Sequence, residues 1–81
     1  MKLKLNVYPV IPGMEESIAK IFQKAVDNRA KILEIAYGEA GDDVKKRILN
    51  FLNRKDIRRL YSRLEKTDKE WGRIYVHFRW E

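Results

Sequence analysis

The sequence predicts an α/β fold with the element order β-α-β-α-β-β, and three observations carry it. Leu3, Leu5 and Val7 alternate with Lys2, Lys4, Asn6 and Tyr8 near the start, and Ile74, Val76, Phe78 and Trp80 alternate with Arg73, Tyr75, His77 and Arg79 near the end; each segment reads as a strand with one buried face. Between them, apolar residues recur twice at helical spacing. The first strand and a second apolar segment, Lys31 to Tyr37, are separated by more than a dozen residues, which implies a parallel pair joined by a right-handed crossover.

Taken in order, the first strand covers Lys2 to Tyr8, and Pro9 and Pro12-Gly13 break it. Glu15-Glu16 places negative charge where a helix macrodipole favours it, so a helix begins near Met14. Its stripe is Ile18, Ile21, Phe22, Ala25 and Val26, and the pattern lapses near Asn28-Arg29, which makes about four turns. Lys31 to Tyr37 is a short apolar segment, read as a second, more buried strand, and Gly38 to Asp43 is a turn. Asp42 or Asp43 is expected to cap the next helix, where Val44, Ile48, Phe51 and Leu52 oppose Lys45, Lys46 and Asn50, and that helix stops near Asn53. From Asp56 to Lys66 both periods fit: Ile57, Leu60, Tyr61 and Leu64 have helical spacing, while Leu60, Ser62 and Leu64 alternate with Tyr61, Arg63 and Glu65. Read as a strand, this segment pairs with the last one as an antiparallel hairpin around Asp68 to Gly72, and the sheet is four-stranded and mixed with two helices on one face.

The 81 residues suit one domain, 1–81, without an internal boundary, repeat or low-complexity tract. A hydrophobic share of 44% with 37% charged residues fills a core and ionises the surface. There is no cysteine and His77 is the only histidine, which argues against disulfides, thiol catalysis and a histidine- or cysteine-based metal site. No cofactor is expected. No apolar run approaches the roughly 20 residues of a membrane span, and the alternating N-terminal segment does not look like a signal peptide, so a cytoplasmic location is expected.

The net charge of +6 is uneven, because residues 44–81 hold 12 basic and 5 acidic residues. Such a surface suits a polyanion, whose condensed counterions are released on binding. With the apolar strand faces against the helices, the opposite face displays Lys2, Lys4, Arg59, Tyr61, Arg63, Arg73, Tyr75, His77 and Arg79, and Lys45, Lys46 and Arg47 at the start of the second helix extend it. Cations that follow phosphates and rings that stack on bases together suit single-stranded nucleic acid. An ordinary solvated sheet face also favours arginine and tyrosine. The two parallel strands should bring Tyr8 and Tyr37-Gly38 side by side on one rim, where open α/β sheets often place ligands. His77 has no serine, cysteine or carboxylate close in sequence, so binding is preferred over catalysis for it. Glu39, Asp42 and Asp43 surround the Gly38–Gly41 turn with charge that repels an anion and specifies no metal site.

The rim segments and the order of elements resemble the Smr (small MutS-related) domain, in particular its short stand-alone bacterial members. Leu5-Asn6-Val7-Tyr8-Pro9 is similar to that family's Asp-Leu-His segment, and Ile35-Ala36-Tyr37-Gly38-Glu39-Ala40 to its His/Pro-Gly-x-Gly segment. Val44 to Leu52 and Gly72 to Trp80 look closer still, so the resemblance covers nearly the whole chain. It implies a two-layer sandwich like the C-terminal domain of translation initiation factor three, with a strand in the ambiguous segment. It also implies nucleic-acid binding, with Gly38 as the retained motif glycine and with DNA nicking or RNA cleavage in some members. This chain departs from the motifs at Asn6, Tyr8, Tyr37 and Ala40. Phenol in place of imidazole raises the reference pKa from about 6.5 to about 10, which weakens proton transfer near neutrality. The expectation is therefore a binding module for RNA, a ribosome, or single-stranded or branched DNA, without assigned catalytic residues. The alternatives are an Smr-type endonuclease, and a protein-interaction domain whose basic face docks an acidic partner or whose exposed Trp71 and Trp80 support weak self-association of an otherwise monomeric chain.

Overall fold

The computed structural model describes residues 2–8, 12–67 and 71–80. The first alternating segment forms β1 (Lys2–Asn6), two residues shorter than expected. The backbone N–H of Tyr8 donates to Asn6 Oδ1 at 3.0 Å, a local turn that draws the chain out of the ladder after Val7. The Pro9 part of the predicted break lies outside the described residues.

Helix α1 (Met14–Asp27) follows Gly13, whose φ of 83° supplies the left-handed entry. Met14, Ile18, Phe22 and Ala25 form its buried stripe. The helix closes with Arg29 at φ 50° and the Ala30 N–H bonded to the Ala25 carbonyl at 2.9 Å, so the lapse in periodicity at Asn28-Arg29 is a real terminus. Strand β2 (Ile32–Gly38) comes next, then α2 (Asp42–Leu52). Neither Asp42 nor Asp43 caps α2; Gly41 occupies the cap position without a side-chain bond, and both aspartates sit in the first turn. There they interact with the helix dipole rather than with single amide groups.

The ambiguous segment uses both of its periods in succession. Lys55–Arg58 is a single helical turn, α3, an element that the sequence reading did not contain, and Tyr61–Thr67 is strand β3. Strand β4 (Gly72–Phe78) completes the set, while Asp68, Lys69 and Glu70 of the predicted turn lie outside the described residues.

The described strands form one mixed sheet in the order β1-β2-β4-β3, with β1 parallel to β2 and the other neighbours antiparallel. The fold is thus the expected β-α-β-α-β-β arrangement, with α3 added. Ile18 and Phe22 of α1 and Ile48 and Leu52 of α2 share one apolar cluster with Leu33, Ile35, Ile74 and Val76 of the sheet. Both long helices therefore cover the same sheet face, and no described helix covers the other, open face. A two-ended link joins the helices: Arg47 Nε and Nη2 each donate to a Glu15 carboxylate oxygen at 2.7 Å.

Candidate nucleic-acid interface

Strand register places the side chains of the open face in three rows of four. Lys2, Ile32, His77 and Arg63 make one row, Lys4, Glu34, Tyr75 and Glu65 the next, and Asn6, Ala36, Arg73 and Thr67 the third. Six of the predicted residues, Lys2, Lys4, Arg63, Arg73, Tyr75 and His77, thus share this surface.

The surface also holds two carboxylates. Glu34 is only 5% exposed, and Lys2 Nζ lies 3.3 Å from Oε1, with Lys4 Nζ at 3.6 Å and Arg73 Nε at 3.5 Å from Oε2. Lys2 also stands 5.4 Å from the centre of the Tyr75 ring. The cations on β1 and β4 are in this way drawn over one central acid, which holds them in register but cancels part of their charge. Across the hairpin, Glu65 Oε1 meets His77 Nε2 at 3.2 Å and Arg63 Nη1 at 3.6 Å. The described face carries four full cations against two carboxylates, a smaller excess than the whole chain suggests.

The other predicted residues are placed elsewhere. Tyr61 points to the helical side: it is 8% exposed, and its hydroxyl donates to the Leu52 carbonyl at 2.8 Å. The cause is a β-bulge, because Tyr61 pairs with Phe78 and Arg63 with His77, leaving Ser62 as an extra residue that shifts the alternation by one. Burial pushes the Tyr61 phenol above its ordinary pKa, with the Arg58 charge opposing it. Arg59 lies in the turn after α3, before β3 begins, and does not project from a strand. Lys45 and Lys46 belong to α2 and so to the helical layer, behind the sheet. Arg47 is engaged with Glu15, whose carboxyl is held below its ordinary pKa first by that hydrogen bond.

Arg79 follows β4, and its N–H donates to the Leu60 carbonyl at 3.1 Å. It joins Arg58, Arg63, Asn53, Ser62 and Tyr61 around a groove of about 420 Å³ at the β3 edge of the sheet. Sequence reasoning had no signal for Arg58 there, since only the α3 turn and the bulge bring it to this edge.

The rim behaves as the parallel pairing requires. Val7 N–H donates to the Ala36 carbonyl at 2.8 Å, which sets the ends of β1 and β2 side by side. Gly38 has φ 57°, and a Cβ there would overlap the Trp71 indole, whose ring meets Tyr8 edge-on at 5.3 Å. On the neighbouring strand, a Cβ at Gly72 would overlap the Tyr37 ring. Aromatic packing therefore fills the rim around Gly38. Models of known families, characterised proteins and solved structures yield no match to this chain.

Neither tryptophan is fully exposed, contrary to the expectation for self-association. Trp71 covers Gly38, and Trp80 stacks on Phe78 at 5.7 Å while its Nε1–H donates to the Ala30 carbonyl at 2.6 Å. Of the residues that sequence reasoning missed, Glu34 had a visible signal: it interrupts Ile32-Leu33-Glu34-Ile35-Ala36 in phase with the open face. Glu65 alternates with Arg63 and so was equally placeable, but its approach to His77 depends on the hairpin register. Among the described residues no helix is long and apolar enough to cross a membrane.

Proposed function

We propose that the chain is a nucleic-acid-binding module for RNA, ribosomal RNA included, or single-stranded or branched DNA, with the open sheet face as the contact surface and without cleavage chemistry. One observation supports this above the others: Lys2, Lys4, Arg63, Arg73 and Tyr75 share a sheet face that neither long helix covers. Ammonium and guanidinium groups there are at the surface to meet phosphates, and the partly exposed Tyr75 offers a ring to a base. The resemblance to the Smr domain points the same way, and kinship with that family is part of the proposal.

Salt dependence tests it. Four cations engaged on a single strand give a slope of log affinity against log salt near −3, at about 0.7 per phosphate. Changing Lys4, Arg63 and Arg73 to alanine should lower the affinity and reduce the slope by about 2. Lys2 is retained in that variant so that Glu34 keeps a counter-ion. The control replaces Lys20 and Lys24, on the exposed side of α1. Binding unchanged by the sheet-face substitutions rejects the surface.

The His77–Glu65 pair favours a second reading, the endonuclease. A carboxylate that orients an imidazole is half of an acid–base arrangement, and Arg63 beside it suits a phosphate. Labelled RNA and supercoiled plasmid decide this: cleavage that survives purification and vanishes in His77→Ala establishes it, and no cleavage by the wild type excludes it under the conditions used.

A further inference from the structure

We infer that the groove at the β3 edge is a site for a terminal phosphate monoester, so that the module prefers strands whose end carries a phosphate. The inference rests on the nucleic-acid reading above and assigns to this groove a role distinct from that of the open face.

Three arginines, Arg58, Arg63 and Arg79, line the groove, with Asn53 and Ser62 as further polar groups and no carboxylate in its described lining. Their existing partners are weak or neutral. Arg58 donates to Asn53 Oδ1 at 3.3 Å, and Arg63 lies 3.6 Å from an exposed Glu65 oxygen. The Arg79 side chain has no hydrogen-bond or ion-pair partner among the described residues. Each guanidinium is planar and always charged, with a fork of donors that matches phosphate oxygens.

Size and charge together select the ligand. A space of about 420 Å³ is near the small end of ligand sites, enough for a phosphate with its sugar and base but not for a strand of several nucleotides. An internal phosphodiester brings one negative charge to these three cations, whereas a terminal monoester carries about −1.5 to −2 near neutrality and three acceptor oxygens. The bulge at Ser62 creates the site, because it turns Tyr61 inward while aiming Arg63 outward beside Arg79. Arg63 is on the border between groove and open face, so a strand can rest its end in the groove and continue across the sheet.

The test compares 12-nucleotide single strands with a fluorophore at one end and either phosphate or hydroxyl at the other, in both polarities. The wild type should bind one phosphorylated polarity about tenfold more tightly than its hydroxyl counterpart, the scale expected for replacing neutral contacts by charge-assisted ones. In the Arg58→Ala/Arg79→Ala variant, whose substituted side chains are exposed, the ratio should fall close to one. Equal affinity of the wild type for phosphate and hydroxyl ends overturns the inference, and so does an undiminished ratio in the variant. If no oligonucleotide binds, the open-face reading fails, and titration with inorganic pyrophosphate judges the groove separately. Amide shifts concentrated at residues 58–64 and 79 sustain it as a phosphate site; their absence ends it. Adenosine monophosphate run beside the oligonucleotides separates a free nucleotide from a strand end.

Discussion

Replacing Glu34 by glutamine should make the protein less stable and, on the proposed nucleic-acid reading of the open face, a better binder at low salt. In the wild type its carboxylate is met by Lys2, Lys4 and Arg73 at 3.3, 3.6 and 3.5 Å. At such distances and an effective dielectric constant of about 20, each attraction has a gross value of roughly 5 kcal/mol. That figure is not the net effect, because the cation side chains are 56%, 61% and 37% exposed and water screens them. Exposed pairs keep about 0.2–1 kcal/mol each, and the desolvation of Glu34 itself opposes them. Glu34→Gln should therefore cost about 1–2 kcal/mol, a fall in Tm of about 4–16 °C for a domain of this size. The same change leaves the three cations without their central acid. One more effective positive charge steepens the single-strand salt slope by about 0.7, a gain of roughly eightfold at 50 mM salt that fades toward 1 M. Thermal unfolding and fluorescence anisotropy at four salt concentrations measure both quantities. A folded variant whose slope is unchanged, or whose affinity drops, refutes the claim that the cations around Glu34 are the contact surface.

Other consequences are equally direct. Gly38→Ala forces an L-residue to φ 57° and drives a methyl group into the Trp71 ring, so it should cost about 2–4 kcal/mol in denaturant unfolding; adding Trp71→Ala should relieve the overlap but not the backbone strain. For Glu15 the folded carboxyl is depressed by its bond to Arg47, so its contribution is present above the unfolded carboxylate pKa and is lost as the pH falls through the lower folded one. Wild type should accordingly exceed Glu15→Gln in Tm at pH 7 and converge with it in acid; a constant difference contradicts the assignment. Tyr61→Phe loses the hydrogen bond to the Leu52 carbonyl, at about 1–2 kcal/mol, and should also remove one late-titrating phenol from the alkaline tyrosinate titration followed by ultraviolet absorbance.

Much of this architecture was legible residue by residue. Alternation in Leu3-Lys4-Leu5 and Ile74-Tyr75-Val76 reports a strand with one wet face, and the Ile18-Phe22-Ala25 spacing reports a helix with one dry stripe. These are local patterns, and burial against a single apolar layer enforces them. The segment from Asp56 to Lys66 resisted because both periods were genuine, first a turn of α3 and then β3. A period read over such a window averages two elements. Tyr61 was misplaced for a related reason: one inserted residue, Ser62, reverses the facing of everything on one side of it, and hydropathy carries no mark of the insertion.

The sequence alone determined the class of the molecule, with a half-buried strand at each end, two amphipathic helices and an excess of cations in its second half. Tertiary structure decided how that charge is presented. Sheet register set Glu34 beneath Lys2, Lys4 and Arg73, hairpin pairing brought Glu65 to His77, and a bulge gathered Arg58, Arg63 and Arg79 around one groove. Periodicity fixes which way a side chain faces along its own element, but charges attract or cancel across elements, at distances that only the packed chain defines.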